Sequence, residues 1–555
     1  MKVTTFIAQF LTNKGIKLIF ELQGGMITRI IDEFHRLGEI TIASMHHEQA
    51  AAFAVDAYSR ITNKPGVAIA TSGPGATNLI TGIGSCYYDS VPAIFITGQV
   101  NLSEQKGDRS VRQIGFQETD ITSIVQPITK ASYAIKDADE IPVVFEKAYQ
   151  LAIHGRPGPV LIDIPMDIQN TEINNMRLND HRGDVFPKSG RTHIFLDQLI
   201  AELKYAKAPL VLAGRGIQTA GATSSFLKFI EKYNLPAVTS LLGLDVIPYN
   251  HPNRIGFIGT YGNRWANFAL GTCDVLLVLG SRLDLRQTGS DVKFFKKGKK
   301  IFHVDIEPSE LNNRIKNCII LEADVKVFLN EINLLSGIKI KVNNWRQVIR
   351  GKYLERKDID ELGFIKGINP NIFIHQLAHV SKLAKVIIAD VGNNQMWVAQ
   401  SYEVGKNQRF ITSGGMGAMG YSLAAAIGAC FASENLPVIA ITGDGGMQIN
   451  IQELQTIRRN NLPIKIVILN NHCLGMIRQF QDSYFDSCYQ STVWGYDAPD
   501  FETVAIAYGI DAYSISTIEE IEDGLKMLWK KPDQPFLLNV SLDVHTNVYP
   551  KIAFG

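Results

Sequence analysis

Short, continuous apolar runs rich in β-branched residues punctuate this chain and constrain its fold more than any other feature. They include VAIA at 67–70, AIFIT at 93–97 and VLIDI at 160–164. LVLA at 210–213, VLLVL at 275–279 and IFHVD at 301–305 follow. VIIA at 386–389, VIAI at 438–441, IVIL at 466–469 and FLLNV at 536–540 complete the series. Each leads into a glycine turn and an amphipathic stretch. Strands that are apolar on both faces and alternate with helices imply parallel sheets covered on both sides. The runs fall into three groups, parted by the polar stretches 170–191 and 338–369. Three doubly wound α/β units are therefore expected, at 1–180, 190–340 and 365–555. In such sheets ligands bind beyond the C-terminal strand ends, where the glycine-rich turns lie.

Charge narrows the function. Fifty-five Lys and Arg face 54 Asp and Glu, a formal net charge of +1. No basic footprint for nucleic acid or an anionic membrane is present. The longest near-apolar stretch, 423–432, is too short to cross a bilayer. The N-terminus MKVTTFIAQFLTNKG alternates polar and apolar residues and reads as an amphipathic helix, not a signal peptide. Six scattered cysteines without a CxxC pair suit a reducing compartment. A soluble cytoplasmic protein with no nucleic-acid or membrane partner is expected.

The strongest chemical signal is GDG at 443–445 directly after a strand, with Asn470-Asn471 after the next. Both segments end on one sheet edge. A hard divalent cation wants oxygen ligands, typically few carboxylates plus ligand phosphates. Asp444, the Asn471 amide oxygen and the Cys473 carbonyl can supply one face. A diphosphate on the N–H groups of a helix starting near Gly446 would supply much of the rest. GDG alone is often only a tight turn; its spacing to the asparagine pair favours the metal reading. Nearer the N-terminus, Glu48 in HHEQAAAFA opens an alanine-rich helix, and TSGPGATN follows at 71–78. By itself Glu48 is an N-terminal carboxylate favoured by the helix dipole.

Taken together, Glu48, TSGPGATN and the GDG…NN pair resemble the thiamine-diphosphate enzymes, and most closely the acetohydroxyacid (acetolactate) synthases. GQV at 98–100, FQE at 116–118, GPVLID at 158–163, DVGNNQMWVAQ at 390–400, TSGGMGAMG at 412–420 and LGM at 474–476 extend the likeness along the chain. The resemblance implies that Glu48 bonds the cofactor's pyrimidine N1′ and drives its activating tautomer. Gly417 would accept from the 4′-amino group, and Met419 would wedge the cofactor into its bent shape. Val391, Gly392, Asn393 and Asn394 would line the diphosphate, as would Gly445, Gly446, Leu474, Gly475 and Met476. Asp444, Asn471 and Cys473 would hold magnesium. Thr71, Pro74, Asn78, Gln117 and Gly25 would sit near the pyrimidine or the reacting centre. In this family Glu48 and the metal motif of one site come from different subunits, which implies a homodimer or homotetramer.

The middle segment also resembles that family, through GRG at 214–216, SLLGL at 240–244, GFIGTYGNRWAN at 256–267, GSRLDLRQTG at 280–289 and HVDI at 303–306. There the family holds FAD, which implies contacts from Gly214, Arg215, Gly216, Gly259, Arg282, Asp305 and Ile306. Arg286 would grip the carboxylate of the second keto acid, as a bidentate guanidinium can. Phe116, Met166 and Phe480 would complete the substrate side. Four departures lie there. Phe480 replaces a family tryptophan, Met166 a lysine and Glu21-Leu22-Gln23 the residues before the double glycine, while the segment 101–115 is longer and more charged. The implied activity is decarboxylation of pyruvate with transfer of the two-carbon unit to a second 2-keto acid, giving 2-acetolactate. A different carbonyl acceptor such as a keto sugar nucleotide, or simple decarboxylation, is the alternative. The run KKGKK at 296–300 reads as a solvated turn.

Overall fold

The computed structural model describes residues 1–174, 191–337 and 339–551. Three parallel sheets of six strands each organise the described residues. The first holds β1 (Leu18–Leu22), β2 (Thr41–Ser44), β3 (Gly66–Ala70), β4 (Ala93–Gln99), β5 (Ala131–Ala134) and β6 (Pro159–Pro165). The second holds β7 (Pro209–Ala213), β8 (Ala237–Thr239), β9 (Arg254–Phe257), β10 (Val275–Leu279), β11 (Lys300–Asp305) and β12 (Ile319–Glu322). The third holds β13 (Val386–Ala389), β14 (Arg409–Thr412), β15 (Val438–Gly443), β16 (Ile464–Asn470), β17 (Asp511–Ile515) and β18 (Phe536–Ser541). The expected doubly wound α/β architecture is what the chain adopts.

The outer two sheets share one topology, β2-β1-β3-β4-β6-β5 and β14-β13-β15-β16-β18-β17. Their turns are therefore equivalent in pairs. Gly73-Pro74-Gly75 after β3 corresponds to Gly443-Asp444-Gly445 after β15, so only the third unit carries a carboxylate there. The helices Glu48–Thr62 and Tyr421–Ala432, which enter β3 and β15, are likewise equivalent and pack on each other. Small residues make this close approach possible: Ala50, Ala51, Ala54, Ala424, Ala425 and Ala429 are fully buried in one shared core. At Gly428 a Cβ would lie 2.0 Å from the Ala54 carbonyl oxygen.

The central sheet reads β9-β8-β7-β10-β11-β12, the 3-2-1-4-5-6 order of dinucleotide-binding folds, with its switch point between β7 and β10. Residues 343–355, inside the polar stretch 338–369, form a helix whose Trp345 and Ile349 pack into the central core. The KKGKK run is a turn before β11, with Gly298 at φ 74. Lys297 and Lys300 are exposed, as a solvated turn requires, while several of its lysines find partners. Lys299 Nζ donates to the Gly271 and Phe295 carbonyls, Lys296 to the Lys316 carbonyl, and Lys300 pairs with Glu202. No helix among the described residues is long and apolar enough to cross a membrane.

Candidate active site

The C-terminal edge of the first sheet gathers Glu48, Thr71, Pro74, Asn78, Gly25 and Gln117. Glu48 is the first residue of its helix and is buried. Asn78 Nδ2 donates to Glu48 Oε2 at 2.9 Å. The other oxygen has no hydrogen-bond partner among the described residues. Gly75 passes so close that a Cβ would stand 3.2 Å from Glu48 Oε1. Pro74 starts the short helix Pro74–Asn78 in the turn above. Thr71 Oγ1 accepts from Met26 N at 3.2 Å, and a Cβ on Gly24 would meet the Thr71 Cβ at 2.5 Å. Gly24 thus lets the 24–26 turn lie on Thr71, while a Cβ at Gly25 would meet nothing within 4 Å. Gln117 adopts φ 66 and packs its side chain against Gly73. Its neighbour Phe116 is 79% exposed.

The equivalent edge of the third sheet holds the metal motif. The Asp444 helix begins at Asp444 itself, not near Gly446 as the sequence suggests. The Asn471 amide oxygen lies 2.9 Å from the Cys473 carbonyl oxygen and 3.3 Å from Asp444 Oδ1. With the amide turned over, its NH2 donates to both; with its oxygen there, three oxygens converge. A cation relieves such a set; without one the amide must rotate to present its NH2. Burial pushes the Asp444 carboxyl up to about 6, although Tyr496 donates to Oδ2 at 2.8 Å. A buried carboxylate without a cationic side-chain partner fits a metal ligand.

Around this triad sits a cradle suited to a diphosphate. Gly392 at φ 137 is the N-cap of the helix Asn393–Ser401, and no side chain caps that helix start. Asn394 Nδ2 donates to the Asp390 carbonyl at 2.8 Å, and Asn393 Oδ1 is buried without a partner. At Gly475 a Cβ would stand 2.5 Å from Asn471 Nδ2 and 2.6 Å from Asn393 Nδ2, so only glycine leaves the cradle open. Met419, Leu474 and Tyr496 converge on Gly445, within 3.3 Å of where its Cβ would be. Gly446 packs on Asp390, whereas Met476 packs into the core of its unit. Gly417 adopts φ 65 and faces open space.

Asp390 and Tyr496 were not singled out in the sequence. Asp390 is fully buried and accepts from the backbone of Val391, Gly420 and Ser422, tying the diphosphate turn to the 412–420 loop. Its place at the end of β13 was a signal; Tyr496 had none, because a loop brings it in from 52 residues away.

At the central switch point a cavity of about 410 Å³ opens. Arg215, Gly216, Gly259, Arg282, Asp305 and Ile306 line it, as does Arg286. Gly214 does not. It stands behind the wall, where a Cβ would lie 2.0 Å from the Gly280 carbonyl. Burial, with help from Arg60, pulls the Arg215 guanidinium down to about 10, and its Nε has no partner. Asp305 is pushed up to about 6 by burial. A glycine-walled cavity at a dinucleotide switch point, with arginines and carboxylates both in its lining, fits FAD. Arg286 forms no ion pair among the described residues and so remains available to an anion. Met166 opens the helix Met166–Gln169, to which Leu102 N is tied through Asp167 Oδ2. Phe480 is half exposed on the helix Gly475–Tyr484, stacked near Tyr484 and Phe485.

No hydrogen bond or ion pair joins Glu48 to Asp444 or Asn471 among the described residues. The chain matches the thiamine pyrophosphate enzyme models throughout: the N-terminal TPP binding domain at 1–124, the central domain at 196–332 and the C-terminal TPP binding domain at 390–540. It is 37% identical to the acetolactate synthase large subunit of Lactococcus lactis subsp. lactis, over 99% of this chain and 94% of that protein. It is 36% identical to a probable acetolactate synthase large subunit of Methanocaldococcus jannaschii, over 98% and 92%. With the acetolactate synthase isozyme 2 large subunit of Escherichia coli K12 it shares 35% identity, over 100% and 98%. The chain belongs to the acetolactate synthase large-subunit family of thiamine pyrophosphate enzymes.

Proposed function

We propose that this enzyme decarboxylates pyruvate and joins the two-carbon unit to a second 2-keto acid, forming 2-acetolactate when that acid is pyruvate. The observation that carries the reading is the oxygen triad of Asp444, Asn471 and Cys473 beside the glycine-opened cradle. Magnesium would sit in the triad and tie the diphosphate to the Asn393 helix. Thiamine diphosphate supplies the electron sink that makes loss of carbon dioxide from a 2-keto acid possible. Glu48 would hold a proton toward the pyrimidine nitrogen through Oε1, while Asn78 fixes Oε2. Gly417 and Met419 would orient the ring, Thr71 and Pro74 would wall it, and Gly25 and Gln117 would border the reacting carbons. Arg286 would bind the acceptor carboxylate, with Phe116, Met166 and Phe480 shaping that pocket. FAD would fill the central cavity against Arg215. The active form would be a homodimer or homotetramer, in the cytoplasm, where six free cysteines stay reduced.

A second reading changes only the acceptor, to another carbonyl compound such as a keto sugar nucleotide. The ordered loop 101–118 favours it: Glu118 accepts from the backbone of Lys106 and Ile114, pinning extra chain beside Met166. Incubating labelled pyruvate with enzyme, magnesium and thiamine diphosphate, and following carbon NMR, separates the two. Accumulating 2-acetolactate with matching carbon dioxide supports the first. Pyruvate consumed only after another carbonyl compound is added supports the second.

A further inference from the structure

The segment 412–421 joins β14 to the helix Tyr421–Ala432 and carries Gly417 and Met419. Side chains hold it on both flanks. Arg60 Nη1 donates to the Thr412 carbonyl at 3.0 Å. Gln395 Nε2 donates to Thr412 Oγ1 at 2.6 Å and to the Ser413 carbonyl at 2.9 Å. Asp89 then accepts two consecutive backbone N–H groups, Gly414 on Oδ2 at 2.9 Å and Gly415 on Oδ1 at 2.7 Å. Beyond the exposed tip, Asp390 accepts from Gly420 N at 3.0 Å, and the Tyr421 hydroxyl donates to Asp56. Arg60 locks the holders to each other through Asp89 at 2.9 Å and Asp56 at 2.6 Å. Asp56, Arg60 and Asp89 are all buried.

This set comes from the N-terminal unit, whereas the segment it grips belongs to the third unit. Burying three charges is costly, and apolar side chains of similar volume would hold two units together at least as well. What apolar residues cannot do is accept two adjacent backbone N–H groups. The segment is also pressed close: a Cβ on Gly415 would lie 2.4 Å from the Tyr88 Cβ. Only 416–419 lacks such a hold, and Gly417 faces open space.

We propose that Asp89, oriented by Arg60, is a positioning residue that sets where Gly417 and Met419 meet the thiamine ring. The inference rests on the reading of those two residues as cofactor contacts. The test uses the full-length enzyme and calorimetric titration with thiamine diphosphate and magnesium. Asp89→Asn can accept only one of the two N–H groups with its single oxygen. It is expected to weaken cofactor binding about ten- to a hundredfold. At saturating cofactor kcat falls while KM for pyruvate stays within about twofold, a split that general loosening of the fold would not give. Gly415→Ala changes no charge, although its methyl would press on the Tyr88 Cβ and stand 3.2 Å from Asp89 Oδ1; it should weaken binding comparably, so it decides the matter if Asp89→Asn fails to fold. Met419→Ala tests the underlying reading. If Met419→Ala weakens binding while the other folded variants bind as the parent does, the positioning role is overturned. If Met419→Ala also binds normally, the cofactor reading of the loop falls, and the positioning role with it.

Discussion

Glu48 and Asp444 stand at equivalent sheet edges, and their surroundings fit them for opposite tasks. Glu48 has one oxygen tied to Asn78 and one without a protein partner, as a group exchanging a proton with a bound ring nitrogen requires. Glu48→Gln keeps the shape and loses the acid. Turnover should fall about 10²- to 10⁴-fold in steady-state assays while calorimetry still registers cofactor binding. A loss of only a fewfold would sink this role. Asp444 binds metal only when ionised, and burial has raised its carboxyl to about 6. A raised value means that protons compete at higher pH than usual, so magnesium affinity should rise with pH through 6 and then level off. Between pH 7 and 5 affinity is expected to drop about tenfold from this group. Tyr496→Phe removes a donor that favours the charged form and should move the step to higher pH. A pH-independent magnesium titration would remove Asp444 from the metal site. Sequence spacing exposed Asp444 and the family resemblance exposed Glu48; of their partners, Asn78 lies in a short motif and Tyr496 in an unsignalled loop.

At the scale of elements, the contact between the Glu48 and Tyr421 helices relies on absent side chains. Gly428→Ala places a methyl 2.0 Å from the Ala54 carbonyl, and neither backbone can retreat without moving its sheet. Overpacking of this kind costs about 1–3 kcal/mol or more, and should lower the thermal midpoint by several degrees. An unchanged midpoint would mean that the helices separate freely. In the central unit the β7 and β10 turns meet at Gly214 and Gly280, behind the Arg215 cavity. Purified enzyme is expected to carry a flavin released on denaturation, and Arg215→Met to retain much less of it, by absorbance near about 450 nm. Colourless parent protein would end the FAD assignment. The strands that the sequence made plainest were the central ones, buried on both faces. Edge strands such as β2, β5 and β17 are half exposed and mix polar residues into the run, which hides them from an apolar-run search.

In the whole molecule the Glu48 edge and the Asp444 edge belong to different sheets. Among the described residues, Glu48 makes no hydrogen bond to the metal motif of its own chain. A site assembled from two chains has a direct consequence. Glu48→Gln chains mixed and reassociated with Asp444→Ala chains form heterodimers with one intact site and one doubly damaged site. About a quarter of parental activity should return from two inactive preparations, because half the dimers are mixed and each has one good site. Failure to recover any activity, with mixed dimers demonstrated by mass, would place both groups in one chain's site.

The sequence by itself determined the architecture of three doubly wound units and the family. Continuous apolar strands and glycine-punctuated turns are local signals, and both survive in a linear string. Only the tertiary structure decided that the outer sheets share one topology, which makes Gly73-Pro74-Gly75 the metal-free counterpart of Gly443-Asp444-Gly445. It also decided that Asp89 and Arg60 reach across 325 and 352 residues to hold the 412–415 backbone. Buried charges like these carry no spacing rule. Their partners are backbone groups whose direction is fixed only after two units have packed, so nothing in the linear order announces them.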